Sequence, residues 1–502
     1  MYIKYLTFFQ QEHYNLKKFL HHTKNFYQND YHVLVIYLLF IIYCLDIHLI
    51  INIIIGILLI LISFAFKQMV IRLKVTKRII RLLITTFLLI VVYIYFLIKI
   101  TDISYTCFII TFLIPVTIII TNNINYPIEK IISFYYICKA KSKLAQHKDL
   151  LKIGITGSFG KTTTKNILTN ILSTEYSVVM SPASYNTPLG ISKTINNLLH
   201  PTTEVLVAEM GAYRIGEIRY LAEMVKPQIG IVTSVGPQHL STFKTVDNVL
   251  KTKVELLEAL PNDGIGIINI DNEYLKNYES NLKCKLVTVG IKENADYQAQ
   301  RITYQNNQMR FSIYYQGEYL FEVSTNLLGY HNIYNILASI ACACEIKKLG
   351  FNVSIPNIIE GIQKAQPVLH RLSVSKKDNI TILDDSFNSN IEGFLSAIEV
   401  TKTYKIKKVI ITPGIVDGGK KQEELNRRVG IAMGKVFDEV YLINNPASKA
   451  IEKVLQEVEY RDIHIYSRFI DAYNEVLRKY QNEEIVLLIE NDLPDNFLER
   501  SS

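Results

Sequence analysis

Four apolar runs dominate the first quarter of the chain: residues 33–45 (VLVIYLLFIIYCL), residues 47–66 (IHLIINIIIGILLILISFAF), and stretches over roughly 82–98 and 103–121. A spanning helix needs about 20 apolar residues; the second, third and fourth runs meet that length and the first is short. Lys67, Arg72, Lys74, Lys77, Arg78 and Arg81 separate the second and third runs, and Lys130, Lys139, Lys141 and Lys143 follow the fourth. Basic loops stay on the cytoplasmic side, so the pattern predicts four spans with both ends inside. Residues 33–66 forming one re-entrant hairpin would leave residue 122 onward on the same face. No small-residue cleavage site follows the first run, so a removable signal peptide is not expected. A buried soluble helix bundle is the competing reading, disfavoured because the four runs crowd so closely together.

From residue 150 the pattern changes. LLKIGIT (150–156), VLVAEMG (205–211), QIGIVTSVG (228–236) and IGIINID (265–271) are short apolar strands that each run into a polar loop, with helical stretches between them. Strands alternating with helices predict a parallel α/β sheet, with ligands at the carboxyl ends of its strands. Residues 297–325 alternate apolar and polar positions and predict a small antiparallel excursion, and 336–350 an amphipathic helix ending at Gly350. A second strand–helix series follows Pro367: ITILDD (380–385), KVIITPG (408–414), EVYLIN (439–444), IHIY (463–466) and EIVLLI (484–489).

Charge sharpens this division. Residues 1–145 carry 15 Lys+Arg against 5 Asp+Glu while the whole chain is +8, so residues 146–502 sum to −2. A nucleic-acid binder has a basic working domain, and this chain has none. The six cysteines form no CxxC pair, which argues against structural zinc or a disulfide framework and for a reducing compartment.

Gly157-Ser158-Phe159-Gly160-Lys161-Thr162-Thr163 lies between a predicted strand and a predicted helix. Glycines let backbone N–H groups approach phosphate oxygens, and the helix N-terminus adds positive potential. Lys161 would reach the β- and γ-phosphates and Thr162 would offer a hydroxyl to Mg²⁺. The long form of this motif has glycine at the position held by Ile155, so this is a shortened loop. Glu209, His239 and Lys253 end strands or lie just beyond them. Each is weak alone; their value lies in order and spacing.

That order resembles the Mur ligase family of ATP-dependent amide-bond-forming enzymes, and within it the type that adds a D-alanyl-D-alanine dipeptide. The matching stretches include ITGSFGKTTTK (155–165), YNTPLGI (185–191), AEMGAYRIGEI (208–218), GIVTSVGPQHLSTF (230–243), KTKVEL (251–256), NIDN (269–272), GYHNIYNILA (329–338), HRL (370–372) and LDDSFNSN (383–390). The short phosphate loop is the family's normal form. The resemblance implies that Gly157, Ser158, Gly160, Lys161, Thr162 and Thr163 bind ATP phosphates and that Thr162 and Glu209 ligate a first Mg²⁺. His239 and Lys253 would serve a second, with Lys253 carboxylated at Nζ. It further implies that Asn332 contacts adenine, Arg371 the γ-phosphate and Asp385 the ribose, and that Asn186, Ser389 and Asn390 lie near substrate. Lys161, His239, Lys253 and Arg371 would be the catalytic set.

The resulting expectation is an α/β protein. Residues 1–30 form a cytoplasmic segment, 31–145 a membrane domain of about four transmembrane helices with a linker, 146–366 a central P-loop-type ATPase domain and 367–502 a C-terminal Rossmann-like domain. It would sit as a multi-pass protein in the bacterial cytoplasmic membrane, touching membrane lipid and no nucleic acid, with its catalytic domains in the cytoplasm. It would join a small-molecule or lipid-linked carboxylate to an amino-acid or dipeptide amine in cell-wall or envelope precursor synthesis. The apolar region stands where the family's UDP-sugar domain would be, which separates the ATP chemistry from the usual UDP-linked substrate. Building or modifying a poly-amino-acid or lipid-linked polymer is an alternative within the class. A P-loop transport ATPase would need an LSGGQ-like signature and a strand ending in Asp-Glu; neither occurs. A silent scaffold would have no need of Lys161, Glu209, His239, Lys253 and Arg371 together.

Overall fold

The computed structural model describes residues 2–11, some positions between 14 and 20, 73–97, 99–100, 113–182, 185–238, 240–278, 282–305, 308–367, 370–386, 391–416 and 421–491. The chain divides into two compact units, Met1–Tyr135 with Leu493–Ser502, and Tyr136–Asp492.

In the first unit, helix α1 (Tyr2–Gln11) precedes α2 (Lys77–Leu97), and α3 (Ile114–Gln146) runs on into the second unit. Helix α2 and the first half of α3 are joined by polar pairs: Arg81 to Glu129 at 2.8 Å, Asn125 to Thr85 at 2.9 Å and Arg78 to Asn122 at 3.2 Å. Among the described residues, α2 is the one helix long and apolar enough to cross a membrane. This corrects the expectation of a four-span, multi-pass protein of the bacterial cytoplasmic membrane. The third apolar run does become a helix. Of the fourth, residues 103–112 lie outside the described residues; its remainder opens α3, where Asn122, Asn123, Asn125, Glu129 and Lys130 follow and the helix continues to Gln146. The runs at 33–45 and 47–66 lie outside the described residues.

The second unit is α/β, built on two sheets. The first has nine strands in the order β2-β3-β1-β4-β5-β6-β7-β8-β9. Its parallel part comprises β1 (Leu151–Thr156), β2 (Val178–Met180), β3 (Val205–Glu209), β4 (Ile229–Val232), β5 (Ile265–Asn269) and β6 (Lys285–Gly290). Every residue of β3, β4 and β5 is buried, because helices cover both faces and such strands read as unbroken apolar runs. Strand β7 (Tyr297–Gln305) pairs parallel with β6, and then β8 (Gln308–Tyr315) and β9 (Glu318–Thr325) extend the sheet as an antiparallel meander. The alternating pattern at 297–325 is therefore part of the main sheet.

The second sheet has the order β10-β11-β15-β12-β13-β14. Strand β10 (Ser373–Lys377) pairs antiparallel with β11 (Ile380–Asp385), and β12 (Lys407–Thr412), β13 (Glu439–Ile443), β14 (Ile463–Tyr466) and β15 (Ile485–Glu490) complete a parallel set. Insertion of β15 between β11 and β12 aligns Asp385 with Glu490 at the carboxyl edge.

Helix α4 (Lys161–Leu172) follows β1 and packs between α8 (Tyr330–Glu345) and α9 (Ile355–Lys364), the longer helices between α4 and α8 being α5 (Pro188–Leu198), α6 (Glu217–Val225) and α7 (Val246–Glu258). The α4–α9 crossing is close enough that a Cβ on Gly361 would fall on the Ile171 backbone. Helix propensity alone would favour Ala over Gly by about 1 kcal/mol, but backbone cannot swing aside as a side chain does. Gly361→Ala is expected to lower unfolding free energy by about 1–3 kcal/mol. Urea denaturation followed by circular dichroism measures this, and a gain in stability would show that the helices can part.

Candidate functional site

The carboxyl end of β1 opens into the loop Gly157–Gly160. Gly157 has φ +149° and Gly160 φ +83°, and a Cβ would strike Thr233 Oγ1 at the first and Asn335 Oδ1 at the second. Only glycine fits both the dihedrals and the space. The segment after β4 fixes the loop from one side. Ser158 N–H donates to the Ser234 carbonyl at 2.7 Å, Phe159 N–H to Ser234 Oγ at 3.2 Å, and Gly236 N–H to Ser158 Oγ at 3.1 Å. Gly160 in the left-handed region caps α4, whose first-turn N–H groups lack intrahelical acceptors. The loop is thus a preformed nest of donors at a helix N-terminus.

Lys161 folds back over this loop and donates to the carbonyls of Gly157 at 2.6 Å and Ser158 at 3.0 Å. Burial pushes its pKa down to about 8; Glu209 opposes that shift and Arg371 adds to it.

Glu209 closes β3 and is 2% exposed. Its Oε2 accepts from Thr162 Oγ1 at 3.1 Å and Lys165 Nζ at 3.0 Å, and its Oε1 accepts from Asn186 Nδ2 at 3.1 Å. Its own N–H is held by Ser181 Oγ at 2.9 Å. Thr162, Glu209 and Asn186 were each candidates from sequence; Lys165 was not. A signal for it exists in the KTTTK stretch, where residues four apart share one helix face. Among the described residues no group of three or more His, Cys, Asp or Glu could hold a metal ion. A cation here would take Thr162 Oγ1 and Glu209 as protein donors, an all-oxygen pair that suits Mg²⁺.

Lys253, on the buried face of α7, is 1% exposed and lies 6.0 Å from the centre of the Phe243 ring. Among the described residues its Nζ makes no hydrogen bond. Burial first, and the nearby Lys161 charge after it, lower its pKa to about 7 against the pull of Glu217 and Glu255. Those two carboxylates are engaged by backbone: Glu217 accepts from Tyr213 N–H at 2.7 Å and Glu255 from Gly216 N–H at 2.7 Å. His239 lies outside the described residues, as do Ser389 and Asn390.

A cavity of about 420 Å³ adjoins the loop, bounded by Gly160 and Thr163 on one side and by Arg371 and Asp385 on the other. Helix α10 (Ile391–Lys402) contributes Glu392, Leu395 and Ser396 to its wall. Burial lowers the Arg371 pKa, while Asp385 and Glu209 oppose that effect. Asp385 accepts the Leu372 N–H at 3.0 Å, and burial pushes its pKa up to about 7 against the pull of Arg371. Asn332 does not line the cavity: its amide donates to the Leu328 carbonyl at 2.7 Å and accepts from Asn335 at 3.2 Å. Asn335, one turn later, does line it, as do His331 and Asp271. Burial would raise the Asp271 pKa, but N–H groups of residues 291–293 and the Tyr334 hydroxyl outweigh it and hold the carboxyl below its usual value. Asp271 lay in the NIDN stretch without a role of its own.

Apart from Asn332, the described candidates (Gly157, Ser158, Gly160, Lys161, Thr162, Thr163, Asn186, Glu209, Lys253, Arg371 and Asp385) gather on the carboxyl edges of the two sheets. The family description "Mur ligase middle domain" matches residues 155–343, and "Mur ligase, glutamate ligase domain" matches residues 370–489. The UDP-N-acetylmuramoyl-tripeptide--D-alanyl-D-alanine ligase of Bacillus subtilis is 26% identical over 341 residues, covering 67% of this chain and 72% of that protein. The ligase of the same name from Buchnera aphidicola is 28% identical over 58% of this chain and 62% of its own length. The crystal structure of MurF ligase from Thermotoga maritima in complex with ADP superposes with a TM-score of 0.63 at 25% identity, covering 72% of this chain and 80% of that one. From residue 155 to residue 489 the loop, the two sheets and these matches agree, and the chain belongs to the Mur ligase family of ATP-dependent amide-bond-forming enzymes.

Proposed function

We propose that this chain condenses a peptide-bearing carboxylate of cell-wall precursor synthesis with the amine of an amino acid or dipeptide, as the D-alanyl-D-alanine-adding relatives do by name. The observation that supports this best is a cavity lined by Gly160 and Thr163 of the loop together with Arg371 and Asp385, beside which Lys161 and the Thr162-bonded Glu209 lie close enough to Arg371 to act on its charge. The first sheet supplies phosphate-binding groups, and the second supplies a guanidinium and a carboxyl that complete a nucleotide pocket.

In this reading residues 157–163 cradle the ATP phosphates, and Lys161 exchanges its loop carbonyls for phosphate oxygens. Thr162 and Glu209 would hold Mg²⁺, which would supply positive charge to offset that of the phosphates. Arg371 faces the γ-phosphate and Asp385 the ribose. Asn335, rather than Asn332, takes the base-contacting place, because its side chain lines the cavity. An oxygen of the substrate carboxylate attacks the γ-phosphorus, releasing ADP and leaving an acyl phosphate. The incoming amine then attacks the carbonyl carbon and loses a proton, and the tetrahedral intermediate expels phosphate. Lys161 and Arg371 stabilise negative charge in the first step.

Lys253 fits carboxylation. A buried amine with a pKa near 7 and no hydrogen bond among the described residues is substantially neutral and nucleophilic at neutral pH. Addition of CO₂ to the neutral amine, with release of one N–H proton, would form a C–N bond and give an anionic carbamate that could, with His239, serve a second cation.

A mass-spectrometric assay of purified full-length protein with ATP, Mg²⁺, UDP-linked and UDP-free muramoyl peptides and a panel of amines tests the function. The expected result is an amide product with one ADP and one phosphate per bond; ATP hydrolysis with no condensed product under any pairing would contradict it. Lys161→Ala and Lys253→Ala are each expected to cut substrate-dependent ADP release by about 10²-fold or more. Undiminished turnover in both would remove the site assignment.

The neutral state of Lys253 has a further consequence. Its folded pKa, about 7, lies below the ordinary lysine value of 10.5, so between those pH values the unfolded chain binds one more proton than the folded one. Stability therefore rises with pH across that window, by up to about 1.4 kcal/mol per unit for one such group. Lys253→Met should flatten the slope of unfolding free energy between pH 7 and 9 relative to wild type. Equal slopes would place a charged amine in the fold.

A further inference from the structure

One of the three side chains that hold Glu209 takes no part in binding phosphate or cation. Lys165 lies one turn beyond Lys161 on α4, is 1% exposed, and places Nζ 3.0 Å from Glu209 Oε2. Thr162 Oγ1 bonds the same oxygen at 3.1 Å. The ammonium thus sits against the carboxylate oxygen shared by the two groups that would hold a divalent cation. The two lysines of the KTTTK stretch divide the work: Lys161 is spent on loop carbonyls and Lys165 on the carboxylate. Charges in so buried a place are poorly screened, so an ammonium and a divalent cation on one oxygen oppose each other.

We infer that Lys165 is a positioning residue, the resting counter-ion of Glu209, which satisfies that carboxylate before metal arrives and keeps the site's affinity for a free divalent cation low. The cation then enters with the triphosphate, whose negative charge outweighs the ammonium. This rests on the reading of Glu209 as a metal ligand.

The test uses Mn²⁺ as probe, titrated into purified, nucleotide-free, full-length protein and followed by electron paramagnetic resonance. Lys165→Gln keeps an N–H donor for Glu209 and removes the charge; Lys165→Arg keeps the charge. Wild type and K165R should bind Mn²⁺ weakly, K165Q at least tenfold more tightly, and the double variant Lys165→Gln/Glu209→Gln should return to weak binding. If K165Q lacks the wild-type circular dichroism spectrum, Lys165→Met serves as the second neutral variant. Neutral variants that bind no more tightly than wild type, or a double variant that keeps the gain, would overturn the inference. Calorimetric binding of ADP with Mg²⁺ to wild type reads the underlying function separately. Intact ADP binding with unchanged Mn²⁺ affinity in K165Q rejects only the role of Lys165, whereas absent ADP binding rejects the nucleotide site itself.

Discussion

A carboxylate taken out of water must have its charge met, and Glu209 at the end of β3 is the place where this chain accepts that requirement. Removing any one partner would leave a buried charge underserved, so Thr162 and Lys165 of α4 and Asn186 before α5 bring two separate segments to the end of β3. Helix α4 must start where it does to deliver two of them, and that start needs the glycine loop. The loop in turn needs Thr233 and Ser234 at the end of the neighbouring strand. The parallel strands β3, β1 and β4 lie side by side, so their carboxyl ends bring these groups together without long connections.

The second sheet matters to this centre through few residues. Arg371 and Asp385 stand at the start and the carboxyl end of the β10–β11 hairpin, and burial changes the acidity of each. Tyr330 N–H donates to Ser396 Oγ at 3.1 Å, so α10 of the second sheet meets the start of α8 beside the cavity. An enzyme that makes an acyl phosphate has to keep water from it. A cavity walled from both sheets suits that demand better than an open cleft on either.

Much of this was legible in the sequence for a definite reason. Strands buried on both faces leave unbroken apolar stretches, so β1, β3, β4, β5, β11, β12, β13 and β15 could be read directly. The meander β7–β9 shows the alternation of a half-covered sheet. Strands β2, β6 and β10 escaped: β2 is a half-buried edge of three residues, and β10 carries the polar string SVSKK. At the site, ordered motifs pointed to the loop, Glu209, Lys253, Arg371 and Asp385. Lys165 escaped because a lysine on a helix ordinarily signals solvent, and only the tertiary position of Glu209 turns it inward. Asn332 and Asn335 differ by one helical turn, and which of them faces the cavity is a matter of helix phase against α4. The apolar N-terminal runs read as four spans on length alone; the first two and most of the fourth lie outside the described residues, and one described helix has the character of a span.

Phosphoryl transfer to a carboxylate is the claim on which this account stands, and oxygen tracing tests it directly. The carboxylate substrate would be labelled with ¹⁸O in both oxygens, condensed with amine and ATP by the full-length protein, and the released phosphate analysed by ³¹P nuclear magnetic resonance. The account predicts one ¹⁸O atom in each phosphate, carried there from the acyl phosphate. Phosphate free of label, with amide formed, would mean that the carboxyl group is activated by some other route and would contradict it.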